Sequence, residues 1–219
     1  PFEDVLIAHR GLHSNRSGAP ENSMAAFCKA VEAGYGIELD VQRTSDGKLV
    51  VFHDMNLKRM TGEDGRLTEY TYEELLAFPL GQSQERIPLF EDVLKMVDGR
   101  VPMVIEIKVG VRYKATTVAV EQMLRSYKGV YCMECFNPFA LAWYRKHDPS
   151  ILRGQLSEDY SQEEIRLPGL IRFILTNMLL NFLARPDFIS YNHRYKRKHS
   201  FRICRKLFKG KTAAWTIKT

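Results

Sequence analysis

Gly36-Ile37-Glu38-Leu39-Asp40-Val41 alternates acidic and apolar residues in period two, which predicts a β-strand with both carboxylates on one face. Two like charges one pleat apart, set among Ile37, Leu39 and Val41, repel strongly unless a counterion answers them. The stretch therefore reads as an interior strand that holds a cation. Similar short apolar or β-branched runs recur at 5–9, 49–53, 102–108, 130–135, 151–156, 187–191 and 212–217. Helix-like stretches stand between most of them, at 22–33, 71–78, 89–97, 115–127, 138–147, 161–165, 170–184 and 199–208. Eight strands alternating with helices, with no second regime of composition, predict an α/β chain closed as a (β/α)₈ TIM barrel, one domain over 1–219. At 219 residues and 45% hydrophobic content the chain has the material for one large core.

The second and third runs break the alternation. Only seven residues lie between Val41 and Leu49, with Asp46-Gly47 marking a turn, so the connection has no room for a helix. The two strands are joined either by an extended return or as an antiparallel pair. Residues 55–88 then form a small insertion, rich in Gly and charge, expected to cap the barrel mouth. Within it Thr71 and Glu74 make a capping box, and Gly34 stands where a helix C-terminal glycine belongs.

Chemistry-bearing residues gather at strand ends. Glu106 lies on a strand that reads Val104-Ile105-Glu106-Ile107-Lys108 and adds a third acid to Glu38 and Asp40. Three carboxylates on one interior surface suit a hard, oxygen-seeking ion, Mg²⁺ or Ca²⁺, better than zinc. His9 and His53 close the first and third runs, and barrel sites form at the C-terminal ends of strands. A histidine pair flanking a phosphorus centre can take a proton from the attacking oxygen and supply one to the leaving oxygen. Arg10 and Lys108 contribute fixed positive charge for phosphoryl oxygens. The four cysteines, at 28, 132, 135 and 204, are too few and scattered for a disulfide framework, and Cys132 with Cys135 falls in a strand where i and i+3 point to opposite faces.

In order along the chain, His9-Arg10-Gly11, Pro20-Glu21-Asn22-Ser23, Glu38-Leu39-Asp40-Val41, Asp46-Gly47, Val50-Val51-Phe52-His53-Asp54, Thr61-Gly62, Ile87-Pro88 and Glu106-Ile107-Lys108 resemble the motif series of glycerophosphodiester phosphodiesterases. The resemblance runs on to Ala214-Trp215-Thr216-Ile217. It implies the (β/α)₈ barrel, Glu38, Asp40 and Glu106 as ligands of one divalent cation, and His9 and His53 as the acid and base. Arg10 and Lys108 would bind the phosphate, with Glu21 and Asn22 lining the site. The implied reaction converts a glycerophosphodiester and water to glycerol 3-phosphate and an alcohol. The implied route begins with attack by the neighbouring glycerol hydroxyl, although the residues alone do not distinguish this from direct attack by water. Ser23 replaces the family's usual Thr and keeps a hydroxyl at the helix start. Cys135-Phe136 replaces the usual Ser-Phe. Trp215 is either an apolar wall for the glycerol or a core residue. The chain stops at Thr219, so the helix that usually follows the eighth strand is expected to be missing.

Charge divides the sequence: residues 193–219 hold ten Lys/Arg and no acid, and the first 192 hold 22 Lys/Arg against 26 Asp/Glu. The basic stretch faces an anionic membrane or is a solvated helix face. The apolar run 170–184 is about 22 Å long as a helix, short of the ~30 Å hydrocarbon core. It is either a barrel helix packed on both sides or an interfacial helix, and with the basic stretch it makes a peripheral membrane contact the second expectation. No charged region followed by an apolar one opens the chain, so no signal peptide is expected in it; the compartment, cytoplasmic or membrane-associated, stays open. Two rival functions follow: phospholipase-D-like action on lysophospholipids at a membrane surface, and a silent phosphate-binding barrel, against which the intact His9 and His53 argue. Nucleic acid is not an expected partner, since no recognisable module accompanies the basic run.

Overall fold

A computed structural model of the chain describes residues 2, 5–16, 18–160, 168–206 and 210–215. The fold is α/β, in two compact units, 1–131 and 132–219. In the first unit β1 (Ile7–His9), β2 (Gly36–Arg43) and β4 (Met103–Ile107) pair in parallel with β2 in the middle. Their register sets His9 opposite Glu38 and Asp40 opposite Glu106. Apolar side chains of these strands, Ile37, Leu39, Val41 and Ile105 among them, are wholly buried, as expected of parallel strands covered on both faces.

β3 (Leu49–Val51) settles the open question about the second connection. It pairs with β2 antiparallel, Val41 opposite Val51, through a turn in which Gly47 takes φ +89°. The run expected over 49–53 is thus a short hairpin arm, and the parallel strands among the described residues number seven. The physical reason is the linker: it is long enough for a turn and too short for a right-handed crossover.

Helix α1 (Met24–Glu32) begins at Ser23, whose Oγ accepts from Ala26 N at 3.1 Å, so the serine serves as N-cap. Residues 55–88 contain α2 (Lys58–Thr61), a 3₁₀ turn (Leu67–Glu69) and α3 (Tyr72–Leu75). The Thr71–Glu74 capping box is formed in full. Leu57, Met60, Leu67, Leu75, Leu80 and Ile87 pack with Val50 and Phe52 of the hairpin, giving the insertion an apolar core of its own. Helix α4 (Phe90–Val97) buries Phe90, Val93, Leu94 and Val97 and ends at Asp98 in the left-handed region, and α5 (Tyr113–Leu124) follows β4.

In the second unit β5 (Tyr131–Cys135), β6 (Arg153–Ser157), β7 (Phe188–Asn192) and β8 (Lys211–Trp215) are numbered in chain order, and β5–β6, β6–β7 and β7–β8 pair in parallel. Helix α6 (Pro138–His147) is capped by Asn137 and carries Pro at its first position. The run expected as one helix over 170–184 is instead two: α7 (Gly169–Thr176) and α8 (Asn181–Ala184), separated by a turn in which Met178 has φ +54°. Asn177 lies at the break and turns its amide back onto Phe173 O at 2.9 Å, a local bond that competes with helix continuation. Helix α9 (His199–Lys206) lies within the basic stretch. The helix expected at 161–165 and the last residues of the final strand lie outside the described residues. All four cysteines are free thiols, Cys132 and Cys135 buried.

Gly11 fixes how closely α1 approaches the end of β1. It has φ +81°, and a Cβ there would stand 2.9 Å from the backbone carbon of Ala26. Gly11→Ala is expected to cost about 1–3 kcal/mol, because alanine is strained at this φ and has no room. Urea unfolding of the variant beside the parent chain measures it.

Candidate active site

Every site residue expected from the sequence except Trp215 lies in the first unit. Glu38 and Asp40 project from β2 and Glu106 from β4, and their carboxylate oxygens lie within 4.8 Å of one another. All three side chains are buried. Burial pushes Glu38 well above the ordinary carboxylate range, and the neighbouring charges of Asp40 and Glu106 push the same way. Burial likewise drives Glu106 up to about 7 against the pull of Lys108, with Asp40 adding to the rise. Asp40 behaves oppositely: burial works to raise it, but the charges of Lys108, His53 and Arg10 and the Asn22 amide hold it below the usual range.

Lys108 points into this cluster, its Nζ 2.7 Å from Glu106 and 3.1 Å from Asp40 Oδ1. Burial would lower its ammonium, yet the two acids raise it well above the usual lysine value. Burial is the larger influence on Glu38 and Glu106, and the Lys108 charge does not offset it, so both remain displaced upward. The buried Oδ1 of Asn22 accepts no hydrogen bond among the described residues. Three buried carboxylates with excess negative charge, their oxygens this close together, could hold a metal ion.

Around the cluster the backbone is bent to order. Arg10 and Asn22 both sit in the left-handed region, at φ 58° and 56°. Arg10 N donates to Glu38 Oε2 at 3.0 Å, and its guanidinium lies 2.8 Å from Glu21 and 3.6 Å from Asp40. Asn22 Nδ2 donates to Asp40 Oδ2 at 2.8 Å. Each residue places its polar groups on the acids only because its backbone takes a conformation that non-glycine residues rarely adopt.

His9 ends β1, and His53 follows the hairpin arm by two residues. His9 Nε2 is 3.8 Å from Glu38 Oε2, and burial, aided by the Arg10 charge, depresses its imidazole to about 4. His53 Nδ1 lies 2.6 Å from Asp54 Oδ1. Gln42, next on the polar face of β2 after Glu38 and Asp40, donates through Nε2 to Phe52 O and Asp54 O, both at 2.8 Å. His53 is therefore pinned from both sides by the strand that carries the acids.

Arg59 is the residue that sequence reasoning missed. From α2 its guanidinium bonds Glu21 at 2.6 and 2.9 Å and Asp54 at 2.6 and 2.9 Å, joining the acid that holds Arg10 to the acid that holds His53. The only sequence signal was its position between His53-Asp54 and Thr61-Gly62. Burial works to raise both acids, but bonds from Arg59 and Asn15 hold Glu21, and bonds with His53 and Arg59 hold Asp54, well below the usual range. Trp215 belongs to the second unit, where its ring meets Phe136 edge-on at 5.9 Å.

Residues 9–217 match the glycerophosphoryl diester phosphodiesterase family, and the chain belongs to that family, one of phosphoric diester hydrolases. A glycerophosphodiester phosphodiesterase of Bacillus altitudinis is 36% identical over 166 residues, a match that spans 70% of this chain and 66% of the relative. Glycerophosphodiester phosphodiesterase 1 of Bos taurus is 28% identical with 97% of this chain and 71% of its own length covered. Among solved structures, the Thermotoga maritima glycerophosphodiester phosphodiesterase superimposes with a TM-score of 0.71 at 25% identity, covering 100% of this chain and 88% of that one. An Oleispira antarctica phosphodiesterase in complex with the product sn-glycerol-3-phosphate reaches 0.79 at 24% identity, covering 100% and 86%.

Arg59→Ala is expected to lower stability at neutral pH by about 1–2 kcal/mol, discounted from the cost of breaking a buried pair because Arg59 is half exposed. Glu21 and Asp54 titrate below their unfolded values, so their contribution is full above about pH 4.5 and is lost as pH falls through the native values. The gap between variant and parent should accordingly narrow in acid. Unfolding free energies measured at neutral pH and at pH 3 check both statements.

Proposed function

We propose that the chain hydrolyses glycerophosphodiesters to glycerol 3-phosphate and an alcohol, on a single (β/α)₈ barrel domain, with one divalent cation, Mg²⁺ or Ca²⁺, at Glu38, Asp40 and Glu106. The observation that carries the reading is the pairing register of β1, β2 and β4, which gathers three buried carboxylates beside His9. The product held by the Oleispira antarctica relative and the likeness of the whole chain to barrel phosphodiesterases support it. When bound, the cation would supply Lewis-acid polarisation of the phosphoryl oxygen and of the attacking hydroxyl.

The chain's own residues do the rest. His9 and His53 form the acid–base pair, one accepting the proton of the attacking oxygen and the other protonating the leaving alcohol. Asp54 fixes the His53 ring with Nδ1 turned toward the carboxylate, which leaves Nε2 to face the substrate. Arg10 and Lys108 balance charge on the phosphoryl group, each already held by site acids in the free chain. Glu21 and Asn22 line the site and orient Arg10 and Asp40. Attack by the neighbouring glycerol hydroxyl gives a cyclic phosphate that water then opens, and in this second half the two histidines exchange roles: the one that protonated the alcohol takes the proton of water and the other returns its proton to the glycerol oxygen.

A second reading, action on lysophospholipids at a membrane surface, is favoured by the exposed side chains of Leu170, Phe173 and Phe182. Glycerophosphocholine and lysophosphatidylcholine offered in parallel separate the two.

Release of glycerol 3-phosphate from glycerophosphocholine is expected to stop with chelator and return with Mg²⁺ or Ca²⁺. His9→Ala should lose about 10²–10⁴-fold in kcat while keeping its fold. Turnover that is indifferent to chelator, or undiminished in His9→Ala, overturns the reading.

A further inference from the structure

Within the second unit, the paired helices α7 and α8 present large apolar side chains to solvent instead of to a core. Leu170 is 72% exposed, Phe173 58% and Phe182 67%, with Ile171 and Leu179 each near half. Five such residues within thirteen positions exceed the scattered exposure normal for a soluble surface. Helix α7 spans only about 12 Å, and among the described residues no helix is long and apolar enough to cross a membrane. The patch therefore suits contact with an apolar layer that is shallow and lies parallel to the helices.

Cations stand beside it. Helix α9 packs on the α7–α8 turn, with Phe201 and Met178 in one apolar cluster and Ser200 Oγ donating to Thr176 O at 3.3 Å. Arg194, Lys196, Arg197, Arg202, Arg205 and Lys206 are exposed there, and none of the six forms an ion pair among the described residues. Residues 168–206 contain nine Lys/Arg and one acid, Asp187, which is held by Arg153. Ile203 is half exposed among the α9 cations, so this helix too has apolar and basic groups at one surface.

We propose that α7, α8 and α9 form a docking face for an anionic lipid membrane, with the α7–α8 side chains inserted among the acyl chains and the cations of α9 on the lipid headgroups. Charge decides the occupant. A second copy of this chain would bring a like-charged cationic helix toward its mate, whereas anionic headgroups meet the cations with the opposite sign. Apolar insertion and headgroup attraction together give binding that neither provides alone. The inference does not depend on the reaction, because it concerns only surface residues of the second unit.

The chain is expected to co-sediment with vesicles of phosphatidylcholine and phosphatidylserine in equal parts at low salt, and much less with phosphatidylcholine alone. The double variant Phe173→Asp/Phe182→Asp should partition about tenfold more weakly, and Arg202→Glu/Arg205→Glu should remove the preference for phosphatidylserine. Both changes fall on exposed positions, and unchanged far-ultraviolet dichroism confirms that the variants fold. Parent protein left in the supernatant, or equal sedimentation of the phenylalanine double variant, overturns the proposal. So does a dimer in sedimentation velocity that the same variant dissociates, because a second copy then covers the face. Turnover of water-soluble glycerophosphocholine, assayed in the same preparations, reports separately on the catalytic reading.

Discussion

Glu38, Asp40 and Glu106 are buried on adjoining strands, where little water dilutes their mutual repulsion, and the surrounding structure is arranged to answer it. Lys108 enters from the end of β4, Arg10 supplies a backbone amide and a guanidinium, and Asn22 supplies an amide. Each of these costs something locally: a buried ammonium, two residues in the left-handed region, a helix start drawn tight against Gly11. Such a concentration of unfavourable local choices is stable only when strongly coupled charges hold it together. The acids thus account for the shape of the β1–α1 connection.

The hairpin β2–β3 extends the same logic. By folding back antiparallel instead of crossing over, the chain returns His53 to the level of Asp40, where Phe52 N donates to Asp40 O at 2.9 Å. The insertion that follows is tied to the site through Arg59, whose fork spans Glu21 and Asp54. A bidentate guanidinium is suited to this because its planar geometry holds two carboxylates at fixed orientation. Packing of α2 in the insertion core and orientation of both His53 and Arg10 become parts of one network.

Much of this was legible in the sequence because strand periodicity is short. Glu38, Asp40 and Glu106 stood out as charges in period two within apolar runs, and the register needed to bring them together follows from parallel pairing of neighbouring strands. The direction of the third strand was not legible, since a seven-residue linker permits more than one geometry. The 170–184 helix was misjudged as continuous because apolar content carries no mark of the Met178 turn, which depends on Asn177 bonding back to Phe173. Arg59 was invisible for a different reason: an arginine on a four-residue helix in a charged insertion has no pattern, and its role appears only when Glu21 and Asp54, 38 and 5 residues away, converge on it.

Gln42 occupies the third polar position on β2, with both hydrogens of its amide spent on the carbonyls that flank His53. One strand thereby sets the spacing between the carboxylate cluster and the imidazole without a flexible loop intervening. Glu38, Asp40 and the backbone that flanks His53 are held by one strand, so a displacement of β2 would carry these two acids and this histidine together.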